Sequence, residues 1–217
     1  MSLKKYNGLE VVIIGLPRSG TSFLTGLIHR LGYNCGPEKG LKDRDLNNLH
    51  GYYEFKSLNR LTSKFYKKHG FNIQDKLPDR TYLLSQSVKA IQKKIQKIIK
   101  MNKIELYKDN KLSFFPELYS TIYDNIKWIY IERDVQDTYK SRFGEEISLS
   151  DWIELTEKRK SLVMSSGIYQ KALKLNYEDF SNDFDDTLNK IVSFLEISPD
   201  KTILDDCRKF YLPRKKK

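Results

Sequence analysis

Glu10-Val11-Val12-Ile13-Ile14-Gly15-Leu16-Pro17-Arg18-Ser19-Gly20-Thr21-Ser22-Phe23-Leu24 is the stretch on which the fold turns. A short aliphatic run closed by glycine, with no polar alternation, suits a strand buried on both faces of a parallel sheet. Beyond it Phe23, Leu24, Leu27, Ile28 and Leu31 recur at helical spacing until Gly32 supplies a stop. Residues 15–22 form the turn between the two, bracketed by glycines. Such a loop lets backbone N–H groups close on an anion, and the helix behind it adds the positive end of its dipole. Phosphate binding is therefore expected. The spacing matches the opening of G-x-x-x-x-G-K-[ST], but Thr21 stands where a nucleoside triphosphatase carries the lysine that reaches the β- and γ-phosphates. That substitution counts against ATP or GTP hydrolysis.

Outward from this turn, three more aliphatic runs read as strands, at 104–107, 127–131 and 172–176. Helical patterns separate them: Val88, Ile91, Ile95, Ile98 and Ile99; then Val135, Tyr139 and Phe143; then Trp152, Leu155 and Leu162; and last Phe184, Leu188, Ile191, Val192 and Leu195. Alternating strands and helices predict a three-layer α/β/α domain with a central, mostly parallel sheet, whose ligands bind beyond the carboxyl ends of the strands. With 217 residues and no linker or repeat, the chain reads as one domain over 1–217, its core at 10–212 and its basic end, 213–217, frayed. The longest aliphatic stretch, Val11 to Ile14, is far short of the roughly 20 apolar residues of a membrane span. No apolar core of a secretory signal opens the chain, so a cytoplasmic protein without a membrane span is expected. Cys35 and Cys207 stand far apart with no CxxC pair or His cluster, which signals neither a disulfide framework nor a metal site.

The formal charge is +11, and it remains strongly positive without the cations of Arg214 to Lys217. An anionic ligand or partner would explain it, although charge alone does not choose among nucleic acid, an acidic membrane face, an acidic glycan and a nucleotide. Lys89, Lys93, Lys94, Lys97 and Lys100 would form either a recruiting face for an acidic glycan or the solvated side of an amphipathic helix. No aromatic-studded RNA-binding pattern interrupts them, and no nucleic-acid partner is expected.

Pro17-Arg18-Ser19-Gly20-Thr21-Ser22, followed by an apolar helix, resembles the 5′-phosphosulfate loop of sulfotransferases that use 3′-phosphoadenosine 5′-phosphosulfate (PAPS), enzymes with a P-loop-containing nucleotide-hydrolase-like fold. Those enzymes carry a second signature, a strand ending in Arg with a Ser eight residues on. Trp128-Ile129-Tyr130-Ile131-Glu132-Arg133-Asp134, leading to Ser141, is similar to it. Asp134 suits an N-cap, and Ser141 then lies two turns further, about 10 Å along the axis. Three further blocks extend the resemblance over most of the chain. Asn48 to Glu54 resembles an N-x-x-G-[FY]-x-E segment of bacterial carbohydrate-type members, Lys108-Asp109-Asn110 their K-D-P turn, and 174–195, with Tyr177-Glu178-Asp179-Phe180, a late block that reads as scaffold.

The resemblance implies transfer of a sulfuryl group from PAPS to a hydroxyl of a carbohydrate or other small metabolite, leaving adenosine 3′,5′-bisphosphate, with no metal. It assigns Pro17, Arg18, Ser19, Gly20, Thr21 and Ser22 to the 5′-phosphosulfate, and Arg133 with Ser141 to the 3′-phosphate. Phe23 falls either on the adenine or in the core. Cytosolic members place a general-base His two residues after a Lys; here Asn110 occupies that position, so another group must serve. Glu38, Glu54 and His50 are the candidates, and Lys108 would meet the transferring sulfuryl oxygens or end a strand in solvent. The C-terminal loop that closes over the 3′-phosphate in cytosolic members is absent, and Arg208, Lys209 and Arg214 are the nearby cations. The residues also support a P-loop-type nucleotide or small-molecule kinase, with Glu132 ending a Walker-B-like strand and holding Mg²⁺. A non-catalytic basic module is the third reading, and it would need no ordered pair of phosphate motifs.

Overall fold

A computed structural model of the chain describes residues 7–45, 48, 51–71, 77, 79–141 and 147–215. The first strand, β1 (Val11–Gly15), leads through the glycine-bracketed turn into α1 (Thr21–Arg30). After α1 come α2 (Lys56–Lys68), α3 (Arg80–Ser85) and α4 (Lys89–Asn102), then β2 (Leu106–Lys108) and α5 (Glu117–Ser120). β3 (Lys127–Glu132) is followed by α6 (Val135–Lys140), α7 (Leu149–Met164) and α8 (Gly167–Lys171). β4 (Leu173–Asn176), α9 (Asp179–Asn182), α10 (Phe184–Leu195) and α11 (Lys201–Lys215) complete the order. The strands make one sheet in the order β2-β1-β3-β4, and all three pairings are parallel.

Side chains alternate across a strand, and the sheet sorts its residues accordingly. Val12, Ile14, Tyr107, Trp128 and Tyr130 face a layer that includes Leu58, Phe65 and Tyr66 of α2, Ile95 and Ile99 of α4 and Val163 of α7. Val11, Ile13, Leu106, Ile129, Ile131 and Leu175 face Leu24, Leu27 and Ile28 of α1, Leu188 and Ile191 of α10, and Phe210 and Tyr211 of α11. Burial on both faces is why β1 reads as an unbroken apolar run. The expected three-layer α/β/α architecture is present.

Register positions the site. β1 lies in the middle, with Ile13 beside Lys108 of β2 and Gly15 beside Ile131 of β3. The chain leaves β1, adds β2 on one side, and then crosses to add β3 on the other. The turn after β1 therefore sits where the strand order reverses, the place at which open parallel sheets bind ligands.

Two helix ends fall elsewhere than the sequence pattern places them. α6 ends at Lys140 with Ser141 as its C-cap, so the pattern expected to reach Phe143 stops short; residues 142–146 lie outside the described residues. α11 continues to Lys215, into the segment expected to fray. Cys207, Phe210 and Tyr211 bury a helical stripe against the α1 layer, and that burial supports the final turns. Cys35 and Cys207 are both free and buried, and burial pushes the Cys35 thiol up to about 12. Among the described residues no helix is long and apolar enough to cross a membrane.

Candidate active site

The turn after β1 is held open by its own backbone. Gly20 is the N-cap of α1 at φ +91°, no side chain caps the helix, and no acid stands in its first turn. Leu24 N–H is bonded to Gly20 O at 3.0 Å, so the first-turn amides ahead of it face outward as anion donors. Glycine is required at both ends. A Cβ at Gly15 would lie 2.6 Å from Ile131 O, and one at Gly20 would lie 2.3 Å from the Tyr177 ring. Arg18 has φ +69°, a left-handed conformation that side chains avoid and that an over-determined functional loop retains. Ser113, just after β2, pins the start of the turn: its hydroxyl donates to Gly15 O at 3.0 Å and accepts from Gly15 N–H at 3.2 Å.

A 430 Å³ cleft opens over this turn, lined by Pro17, Arg18, Gly20, Thr21, Ser22 and Phe23. Ser19 turns its side chain into the loop. Its hydroxyl donates to Leu16 O at 2.7 Å and its N–H to the same oxygen at 3.3 Å, which makes it a brace inside the loop. Phe23 touches the cleft but is 3% exposed, packed edge-on to Tyr177 and Phe180 and stacked on Phe210, so most of its surface belongs to the core.

Arg133 and Ser141 reach the same cleft from the end of β3. Asp134 caps α6 by accepting from Gln136 N–H at 2.9 Å and Asp137 N–H at 3.1 Å, which fixes the chain between them. The Arg133 guanidinium lies 4.6 Å from the Tyr177 ring centroid, and its buried Nε has no hydrogen-bond partner among the described residues. Ser141 accepts from Arg18 Nε at 3.3 Å and donates to Thr138 O at 2.8 Å. Arg18 and Ser141, 123 residues apart in sequence, thus meet in one cleft. Tyr177, in the block that reads as scaffold, covers Gly20, supports Arg133 and lines the cleft. Its position one residue past β4, beside two other strand ends, was the available signal.

The candidate bases separate in space. Glu54 Oε1 receives Lys108 Nζ at 2.5 Å and Glu54 Oε2 receives Asn59 Nδ2 at 2.9 Å, at the wall of the cleft. Lys108 is 2% exposed, not a solvated strand end. Each carboxylate oxygen keeps a lone pair for a further donor. Glu38 is exposed in a short 3-10 turn, Glu38–Gly40, and lines a separate basin with His29 and Arg44. His50 lies outside the described residues. Asp109, next to Lys108, is committed to structure: it accepts from Thr62 Oγ1 at 2.8 Å and Lys111 N–H at 3.0 Å and pairs with Lys111 Nζ at 2.7 Å. Tyr52 at the cleft edge donates to Asp45, and burial together with that bond pushes its hydroxyl up to about 12, so it stays protonated at neutral pH.

Glu132, which a kinase would need beside the phosphates, pairs instead with Lys160 at 2.9 Å. Arg208 is held by Asp185 and Asp205, and neither it nor the exposed Lys209 lines the cleft. Among the described residues no cluster of His, Cys, Asp and Glu is placed to hold a metal ion.

Solved structures with this fold include the sulfotransferase domain from the curacin biosynthetic pathway, at 16% identity and TM-score 0.53, covering 92% of this chain and 78% of that one. Mouse sulfotransferase SULT7A1 complexed with PAP is similar at 17% identity and TM-score 0.51, over 93% of this chain and 63% of that one. Sulfotransferase STF1 from Mycobacterium tuberculosis H37Rv follows at 12% identity and TM-score 0.52, over 93% and 71%. No curated protein matches the sequence. At such identities the structures establish a shared fold, while the sulfotransferase family model matches residues 10–201, from β1 into α11 and across both phosphate motifs. The chain belongs to the sulfotransferase family.

Proposed function

We propose that the chain transfers a sulfuryl group from PAPS to a hydroxyl of a carbohydrate or other small metabolite, with Glu54 as general base. The observation that carries this reading is the meeting of Arg18, Arg133 and Ser141 in one cleft whose other wall is Glu54 paired with Lys108. The donor set fits a nucleotide with two separate phosphate groups. Uncapped amides of α1 with Arg18, Thr21 and Ser22 suit one, and Ser141 with Arg133, whose buried Nε has no partner among the described residues, suit the other. The solved structure of mouse SULT7A1 with PAP supports the same class of donor.

When bound, PAPS would supply the sulfuryl group: the acceptor oxygen bonds to sulfur as the bond from sulfur to the 5′-phosphate oxygen breaks, and adenosine 3′,5′-bisphosphate leaves. Arg18 and the loop amides stabilise the charge that gathers on the 5′-phosphate, and arginine keeps its charge throughout. Glu54 takes the hydroxyl proton. Lys108 holds the Glu54 carboxylate in place and lends positive charge to the transferring oxygens. Tyr177, which lines the cleft beside the loop, is an aromatic group available to the adenine.

Calorimetric titration with adenosine 3′,5′-bisphosphate, AMP, and ATP with Mg²⁺ tests the donor site. Magnesium-independent binding that favours the 3′-phosphate is expected, and Arg133→Ala should weaken it by about 10- to 100-fold, toward the AMP value. A preference for ATP with Mg²⁺, or an Arg133→Ala variant that binds normally, would overturn the reading.

A further inference from the structure

Most of the charged groups on the cleft wall already have an assignment. Lys108 is held by Glu54 and Lys111 by Asp109, and Arg18 and Arg133 are assigned to the donor phosphates. Lys42 is left over. No acid among the described residues lies within ion-pair distance of it, since Asp43 pairs with Lys56 at 3.0 Å and Asp45 accepts from the Tyr52 hydroxyl at 2.8 and 2.9 Å. The Lys42 ammonium sits instead 3.7 Å from the centroid of the Tyr52 ring. An aromatic face steadies a cation without neutralising it, so the full charge still faces the cleft.

The backbone decides what that charge is next to. Leu41 and Phe55 form an antiparallel bridge, and Lys42 N–H donates to Glu54 O at 2.8 Å. Lys42 and Glu54 are therefore directly opposed across a two-stranded strap. Opposed residues point to the same face with Cβ atoms about 4.5–5.5 Å apart. The strap itself is tightly seated: a Cβ at Gly40 would lie 2.2 Å from the Phe55 ring and one at Gly36 2.9 Å. Lys42 lines both the donor cleft and the neighbouring 690 Å³ basin that holds Arg44. A hydroxyl delivered to Glu54 must bring its neighbouring substituent up to Lys42, with the rest of the molecule extending over the basin.

We propose that Lys42, cradled by Tyr52, is an acceptor-specificity residue: it binds an anionic substituent, carboxylate or phosphate, carried close to the hydroxyl that is sulfated. The inference rests on the assignment of Glu54 as base and names the acceptor class for that site. Lys42 is exposed, so its replacement leaves the core intact.

The test compares sulfuryl transfer from ³⁵S-labelled PAPS to matched acceptors: methyl β-D-glucuronide against methyl β-D-glucoside, and glucose 6-phosphate against glucose. The wild-type protein should favour the anionic member of at least one pair, the two pairs separating carboxylate from phosphate. Lys42→Met should cut that preference by about five- to tenfold, mainly through KM, and Lys42→Arg should keep it. Equal use of both members, a preference that survives Lys42→Met, or no transfer to either anionic member would overturn the inference. Failure of the underlying reading looks different: the wild-type protein would not bind adenosine 3′,5′-bisphosphate, or Glu54→Gln would turn over normally.

Discussion

The side of the cleft proposed for the donor is built from residues that stand directly at strand ends, whereas the side proposed for the acceptor is built from a strap of residues 36–42 and 51–55 that belongs to no strand of the sheet. Arg133 follows β3 and the glycine turn follows β1, so sheet register alone brings them together. Glu54 and Lys42 reach the same space only because Phe55 packs on Gly36 and Gly40 and because Glu54 finds Lys108. The first side is a consequence of the fold class; the second depends on a few long-range contacts. Damage to each side should therefore register differently, on nucleotide affinity for the first and on turnover or local stability for the second.

Glu54→Gln tests that separation most severely. Loss of the general base should lower kcat by about 10³-fold while adenosine 3′,5′-bisphosphate still binds within about twofold of the wild-type affinity. The same change leaves the buried Lys108 ammonium without its carboxylate, at a cost of about 3 kcal/mol in stability, measurable by denaturant titration. Adding Lys108→Met removes the stranded charge. The double variant should recover most of the lost stability and none of the activity; recovery of both would mean that Glu54 serves only to neutralise Lys108.

Gly20→Ala probes the other side. Its φ of +91° is strained for any L side chain, and the new Cβ would press on Tyr177, so the loop amides should lose their alignment. Affinity for adenosine 3′,5′-bisphosphate should fall by at least about tenfold. Pairing it with Tyr177→Ala relieves the contact but not the backbone, and only partial recovery is expected.

The two sides were also unequally legible from sequence. Every residue proposed to hold the donor lies within a motif adjoining an aliphatic run, so periodicity located the strand and spacing located the residues that line the cleft. The directions of Ser19 and Tyr177 are not legible in the motif, because they depend on where a side chain turns, as Ser19 does toward Leu16 O. On the acceptor side Glu38 and Glu54 could not be ranked, since both are single acids in a polar stretch and the Leu41–Phe55 bridge that distinguishes them has no local signature. α2 was missed for a related reason. Its buried positions, Leu58, Thr62, Phe65 and Tyr66, recur at helical spacing, but Thr62 is polar, and what satisfies its hydroxyl inside, Asp109 and the Leu58 and Asn59 carbonyls, has no signature in the sequence. α11 carries a comparable stripe at Cys207, Phe210 and Tyr211, obscured by the basic residues that run into its end.

Ser141→Ala should have a smaller effect than either loop or base. One hydroxyl contact to a phosphate is worth about a three- to fivefold change in affinity, and AMP, lacking the 3′-phosphate, should not register the substitution. An equal loss for AMP would mean that Ser141 acts by holding Arg18, to which it is bonded at 3.3 Å, and would move it from the 3′-phosphate to the 5′-phosphate side of the site.

The smallest expected effect is the most informative about the acceptor side. Glu38 and Glu54 both lie on the strap, and the resemblance of the sequence to known sulfotransferases admits either as base. Glu38 is exposed and opens onto the basin, while Glu54 lies within hydrogen-bond reach of a buried lysine that ends a central-sheet strand. A proton acceptor must sit beside the atom that attacks, and the attacking oxygen must approach the sulfur held over the β1 turn. Glu54 shares that cleft and Glu38 does not. Glu38→Gln should therefore change kcat by less than about twofold and leave stability within about 0.5 kcal/mol, as for an ordinary surface substitution. A 10²-fold or larger fall in kcat, at unchanged nucleotide affinity, would require the strap to re-seat with the basin turned toward the donor, and the roles of the two carboxylates would exchange.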